Sequence, residues 1–267
     1  MFWITGDLHG DFSRFNIFST SIPERKTWNV IVLGDAGINF WLSKRDEKLK
    51  HNICRAYSNI CFYLVRGNHE ERPENISGME IVYDEQVKGY VYLQKEFPNI
   101  KYFIDGNEYE IEGLKILVIG GAYSVDKWYR LEKQAMGCYG GWFPEEQLSK
   151  EEMKKISDTH KGKSFDLILS HTCPISYQPR DLFLGFIDQS RVDNSMELWL
   201  EELKNEINWK VWLFGHYHAD RIERPRVEMY YHDIDTLQEI VKRWDKYAET
   251  GELDWWLEKS PNFYMGE

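Results

Sequence analysis

A chain of 267 residues with 42% hydrophobic and 29% charged residues can bury a large core, so neither metal nor disulfide is needed to hold its fold. A formal charge of −11 argues against a broad basic face for duplex nucleic acid, yet leaves room for a phosphorylated substrate at a site made locally positive by cations. No apolar run approaches the roughly 20 residues of a membrane span. With no secretory signal before the first strand and four cysteines outside any C-x-x-C pair, the expectation is free thiols in a reducing, cytoplasmic setting.

In chain order, Phe2 to Thr5 reads as a first buried strand, followed by a helix through Phe12, Phe15 and Phe18. Trp28 to Leu33 is a second strand, about Ser43 to Ser58 a charged helix, and Ile60 to Val65 a third strand. This alternation predicts parallel strands joined by crossover helices. Val87 to Leu93 has strand character, and Lys101–Ile104 with Glu108–Ile111, separated by Asp105-Gly106-Asn107, predict a hairpin. Leu114 to Ile119 is a further strand, and about 121–144, rich in Gly, Tyr, Trp and charge, reads as a lid-like insert. Pro144-Glu145-Glu146 predicts the first turn of a helix to about Ser157. Phe165 to Ser170 returns to a sheet, and Pro174 to Arg191 reads as loop. Asp193 or Asn194 is placed to cap a helix through Leu198, Leu203 and Ile207. Trp209 to Phe214 is a strand, Arg226 to Tyr231 a further one, and Thr236 to Tyr247 a helix, ahead of an acidic, aromatic tail to Glu267. The whole of 1–267 is expected to form one domain, with a C-terminal strand, helix and tail over 222–267.

Five of these strands end in residues able to bind metal. Asp7-Leu8-His9 follows the first, Gly34-Asp35 the second and Gly67-Asn68-His69-Glu70 the third. His171 follows the strand ending at Ser170, and Gly215-His216-Tyr217-His218 the one ending at Phe214. Asn68 offers a carbonyl oxygen to a cation and His69 carries a proton. One such strand end means little, since a lone Asp caps helices and a lone Asn fills turns. Five, with mixed oxygen and nitrogen donors, predict a single assembled site at the carboxyl ends of the strands.

The ordered blocks, spanning about residues 5–218, resemble the calcineurin-like metallophosphoesterase superfamily. That resemblance implies an α/β fold, a four-layer α/β/β/α sandwich of two mixed β-sheets with a dinuclear metal centre. It implies Asp7, His9 and His218 as ligands of one ion, Asn68, His171 and His216 as ligands of the other, and Asp35 as the bridge. His69 is implied as the general acid, and a hydroxide held between two divalent ions as the nucleophile. Manganese is the first expectation for the ions; mixed imidazole and carboxylate ligation also suits iron, zinc or nickel. The implied substrate is a phosphorylated small molecule, a nucleotide or a phosphoprotein. A phosphomonoesterase is favoured, with a phosphodiesterase or nuclease on nucleotides or single-stranded nucleic acid as the alternative, and a non-catalytic metal-binding scaffold as a remote one. No membrane partner is expected.

Arg66 precedes Gly67 as in the phosphoprotein phosphatase branch, where an arginine fork can grip phosphate oxygens. The likeness to that branch then lapses, because Ile38 and Asn39 stand where it carries an acid and an arginine; Glu70 is left as the group to orient His69. Gly120-Gly121-Ala122-Tyr123-Ser124-Val125-Asp126-Lys127-x-x-Arg130, with Gly141 to Glu146, resembles a segment of small bacterial and phage metallophosphoesterases. Tyr123, Ser124 and Arg130 are therefore expected at the substrate, against the alternative that Asp126 and Arg130 merely pin a loop.

Overall fold

Strands that are apolar at every position must be covered on both faces, and that demand sets the layering. In the computed structural model, which describes residues 1–16 and 27–252, β1 (Phe2–Thr5), β2 (Trp28–Val32) and β3 (Ile60–Leu64) are parallel neighbours. β4 (Met79–Asp84), β5 (Gly89–Gln94) and β6 (Ile100–Phe103) extend this sheet, and β13 (Asp235–Thr236) pairs antiparallel beyond β1. The order is β13-β1-β2-β3-β6-β5-β4. A second sheet contains β7 (Glu108–Ile111), β8 (Leu114–Ile119), β9 (Ser164–Ser170), β10 (Asn208–Phe214), β11 (Arg221–Arg224) and β12 (Val227–Met229). Its order is β11-β12-β10-β9-β8-β7. Both sheets are mixed, with parallel centres and antiparallel margins.

The period-two alternation of a strand divides each one between two cores. Ile4, Leu33 and Tyr63 face Val118, Leu169 and Leu213 in the core between the sheets. Their sequence neighbours Val32, Phe62 and Leu64 point outward, onto Phe12 and Phe15 of the first loop and onto Ile53 of α1 (Lys44–Ala56). The insert carries α2 (Lys127–Ala135), which buries none of its residues. On the far side, Leu117, Ile168 and Trp212 meet Met153 and Ile156 of α3 (Lys150–His160) and Leu200 and Leu203 of α4 (Ser195–Glu206). Leu237, Ile240 and Trp244 of α5 (Leu237–Thr250) join the inter-sheet core. The result is a helix–sheet–sheet–helix sandwich. No helix among the described residues is long and apolar enough to cross a membrane.

Two local expectations are corrected. The segments 101–104 and 108–111 do not form a hairpin: β6 pairs with β3 and β5 in one sheet, whereas β7 pairs with β8 in the other. Asp105-Gly106-Asn107 is the crossover between sheets. Packing wins over the local ladder there, since Phe103 and Tyr109 meet in the inter-sheet core with ring centroids 4.6 Å apart. The second correction concerns Pro144, which does not start a helix. The carbonyls of Glu145, Glu146 and Gln147 accept hydrogen bonds from Arg66 and Arg72, which hold the chain out of helical conformation. α3 begins six residues later, behind a capping box in which Ser149 and Glu152 each accept the other's backbone N–H. Strands β4, β11 and β13 were not read from the sequence; β4 carries the apolar triplet Ile81-Val82-Tyr83, but Ile81 and Tyr83 are largely exposed. Phe18 and residues 253–267 of the tail lie outside the described residues.

Candidate metal centre

The loops following β1, β2, β3, β9 and β10 gather at one end of the sandwich. One group of donor atoms there comprises Asp7, His9 and His218, and a second comprises Asp7, Asp35 and His171. Four of the seven predicted ligands hold left-handed backbone angles, with φ of 47° at His9, 46° at Asp35, 71° at His216 and 53° at His218. Non-glycine residues occupy that region at a cost, and such strain collects where a site must be preformed. Two glycines are required by close approach. A Cβ on Gly34 would lie 2.0 Å from His171 Nδ1, and one on Gly67 would lie 2.0 Å from Asp35 Oδ1.

Hydrogen bonds fix how the donors face. His171 Nδ1 lies 2.7 Å from the Leu33 carbonyl. A carbonyl only accepts, so Nδ1 carries the proton and Nε2 presents a lone pair. Asn68 Nδ2 donates to Ser124 Oγ at 2.8 Å, which turns Asn68 Oδ1 toward His171 Nε2 at 2.9 Å. In the neutral imidazole, two acceptors thus confront each other at hydrogen-bond distance. The Asp7 side also crowds its donor atoms together. His9 Nε2 and His218 Nε2 are 2.9 Å apart, His218 Nε2 is 3.2 Å from Asp7 Oδ2, and that buried carboxylate oxygen has no hydrogen-bond partner. A cation relieves both conflicts, and neutral imidazole with carboxylate and amide oxygens is a donor set that divalent transition ions accept. The residues present therefore fit a metal.

Second contacts stiffen the arrangement. Asp7 Oδ1 accepts the His216 N–H at 3.0 Å, and Asp35 Oδ1 accepts the His69 N–H at 2.8 Å. Arg14 clamps the first loop from below, donating to the Asp7 carbonyl and to Thr5 Oγ1, both at 2.9 Å, and to the Tyr231 carbonyl. Burial opposes ionisation of Asp7 and Asp35, yet the neighbouring His218 at Asp7 and His69 at Asp35 win and hold both carboxyls below their usual range. Burial pushes His216 down to about 3. The neighbouring Asp7 carboxylate raises His218. Burial lowers His69 while Asp35 opposes it.

Of the expected substrate contacts, only Tyr123 lines the cleft of about 360 Å³ that opens over the centre; Asp35, Asn68, His69, His216 and His218 line it too. Arg66 is corrected. It is 1% exposed, with Nε on Asp105 at 2.9 Å and its Nη atoms on the carbonyls of Glu146 and Gly120. Its fork is consumed in tying loops together and has none left for phosphate. Ser124 is buried and spent on Asn68 and on Glu146 Oε2, 2.5 Å away. Arg130 is pinned by Asp126 at 2.7 Å and by the Gly141 carbonyl at 2.9 Å, the loop-pinning alternative. Glu70 does not orient His69; its Oε1 accepts the Gly67 N–H at 2.7 Å, while His69 Nδ1 has no hydrogen-bond partner. Sequence reasoning missed Arg14, Glu146 and the Leu33 carbonyl. Glu146 stood in a noted block, but nothing in that block points to Ser124.

A two-sheet α/β sandwich with imidazole, carboxylate and amide donors converging at its strand ends is the architecture of a metal-dependent phosphoesterase. The calcineurin-like phosphoesterase family profile matches residues 1–220, and the chain belongs to that family of phosphate-ester hydrolases. Among solved structures, it is similar to a phosphopantetheinyl hydrolase from Mycobacterium tuberculosis. The two share 14% identity and a TM-score of 0.42 over 99% of this chain and 98% of that one. No curated protein sequence gives a significant match.

Proposed function

We propose that this chain is a dinuclear metal-dependent phosphomonoesterase. Asp7, His9 and His218 would hold one divalent ion, Asn68, His171 and His216 the other, and Asp35 both. The single observation that carries the reading is the facing lone pairs of His171 Nε2 and Asn68 Oδ1 at 2.9 Å. When bound, two such ions supply Lewis acidity toward the phosphoryl oxygens and an acidified water as nucleophile. Manganese is the first choice of ion, and iron, zinc and nickel suit the same donors.

The chain's own contribution is positioning and proton transfer. The Leu33 carbonyl fixes the His171 tautomer, and Ser124 fixes the Asn68 rotamer. His69 lines the cleft, and its Nε2 lies 3.9 Å from Asp35 Oδ2. An imidazole beside a carboxylate and facing the cleft suits proton transfer to a leaving-group oxygen. The test is hydrolysis of p-nitrophenyl phosphate against bis-p-nitrophenyl phosphate with added manganese, alongside elemental analysis. Two ions per chain and faster monoester turnover are expected. A preference for the diester would favour the phosphodiesterase alternative, and no turnover of either with metal bound would refute the enzyme.

A further inference from the structure

The cleft does not end at the ligands. Its outer wall comes from the segment between β9 and α4, where Leu182, Phe183, Leu184, Ile187 and Val192 line it; Val125 closes the opposite side. The apolar surface begins at the centre itself, because Phe183 stacks on Tyr217 with ring planes 14° apart and Tyr217 follows His216. Leu184 is 51% exposed. A single exposed leucine is ordinary, but five apolar side chains on one wall facing a reactive centre, with Gln178, Gln189 and Asn194 among them, mark a binding surface.

The charge pattern is equally selective. Among the described residues that line the cleft there is no lysine or arginine, and its charged groups outside the proposed ligands are Asp126 and Glu197. The nearby cations are turned elsewhere. Arg191 lies over the Trp128 ring at 5.1 Å, Lys127 over the Trp142 ring at 4.5 Å, and Arg130 pairs with Asp126. A second phosphate or a polyanionic backbone would enter acidic, apolar surroundings without a counter-ion.

We infer that the substrate is a phosphate ester of an uncharged, apolar alcohol, whose alkyl or aryl body lies along Phe183, Leu184 and Ile187 while its one phosphate sits at the ligand cluster. This rests on the proposed phosphoesterase reading and narrows it away from nucleotides and phosphoproteins.

The test is a series of n-alkyl phosphates from ethyl to hexyl with the manganese-loaded protein. The leaving-group basicity is nearly constant along the series, so kcat/KM reports burial of the chain. A rise of about two- to fourfold per methylene is expected, with hexane-1,6-diyl diphosphate, the same alkyl leaving group carrying a second phosphate, a poorer substrate than hexyl phosphate. Leu184→Asp should flatten the slope, whereas Leu198→Asp, the same change at an exposed position of α4, should keep it. Calorimetric binding of methyl- and hexylphosphonate reads the same surface without turnover, and hexylphosphonate should bind at least tenfold tighter. Turnover with a flat series, or preference for the diphosphate, overturns this inference and leaves the phosphoesterase standing. No turnover with chain-length-dependent phosphonate binding does the reverse.

Discussion

Ser124→Ala tests whether the buried relay behind Asn68 sets the metal site. The Ser124 hydroxyl accepts from Asn68 Nδ2 at 2.8 Å and donates to Glu146 Oε2 at 2.5 Å. Burial raises the Glu146 carboxyl, and the Ser124 hydrogen bonds oppose that rise. Removing the hydroxyl strands a buried amide and a buried carboxyl, each at about 1–3 kcal/mol, for a total of about 2–6 kcal/mol. For a chain of this size that is a fall of about 5–25 °C in melting temperature. The more specific consequence lies at the metal. Without its acceptor the Asn68 amide is no longer held with Oδ1 toward His171, and manganese affinity should fall about 10–100-fold at that ion. Isothermal titration of the metal-free protein with manganese resolves this from the stability loss. Two ions bound by the variant with wild-type affinity would refute the positioning argument.

Three further outcomes are expected. His69→Ala should keep both ions yet lose about 10²–10⁴ in kcat on an alkyl phosphate, with a smaller loss on p-nitrophenyl phosphate; equal losses on the two would rule out proton donation to the leaving group. Gly34→Ala must give up either φ of 100° or the His171–Leu33 contact, so a backbone cost of about 1–3 kcal/mol should come with loss of bound metal, read by denaturant unfolding and elemental analysis. Burial raises Glu197 from its ordinary 4.5 to about 7, against a hydrogen bond from Thr172. Stability tied to its protonated form is complete below the unfolded value near 4.5 and is lost as pH rises through about 7. Glu197→Gln should therefore gain on the wild type by about 3 kcal/mol between pH 4.5 and 8 in urea titrations, and parallel pH curves would sink that assignment.

The inter-sheet core was legible because continuous apolar runs such as Val30 to Leu33 and Leu167 to Leu169 leave few alternatives to a doubly covered strand. The donor cluster was legible for a related reason: each block sits directly after such a run, so its placement follows from the strand. What failed were judgements about long side chains and about partners. Arg66 carries the chemistry of a phosphate clamp, and only its burial against Asp105 and the Glu146 carbonyl shows that it is committed elsewhere. The 105–107 turn has hairpin composition, and only the packing of Phe103 on Tyr109 assigns its flanks to different sheets. The wall at 182–192 reads as loop because its apolar residues follow neither period.

That wall hangs between β9 and α4 and contributes none of the seven proposed ligands. On the proposed reading, most of the surface that selects the substrate lies on a stretch of chain separate from the ligands. Lineages descended from this scaffold can lengthen, shorten or recharge residues 178–192 and acquire new molecular diets while the hydrolytic apparatus is inherited intact; for the engineer, the same stretch is the natural place to graft.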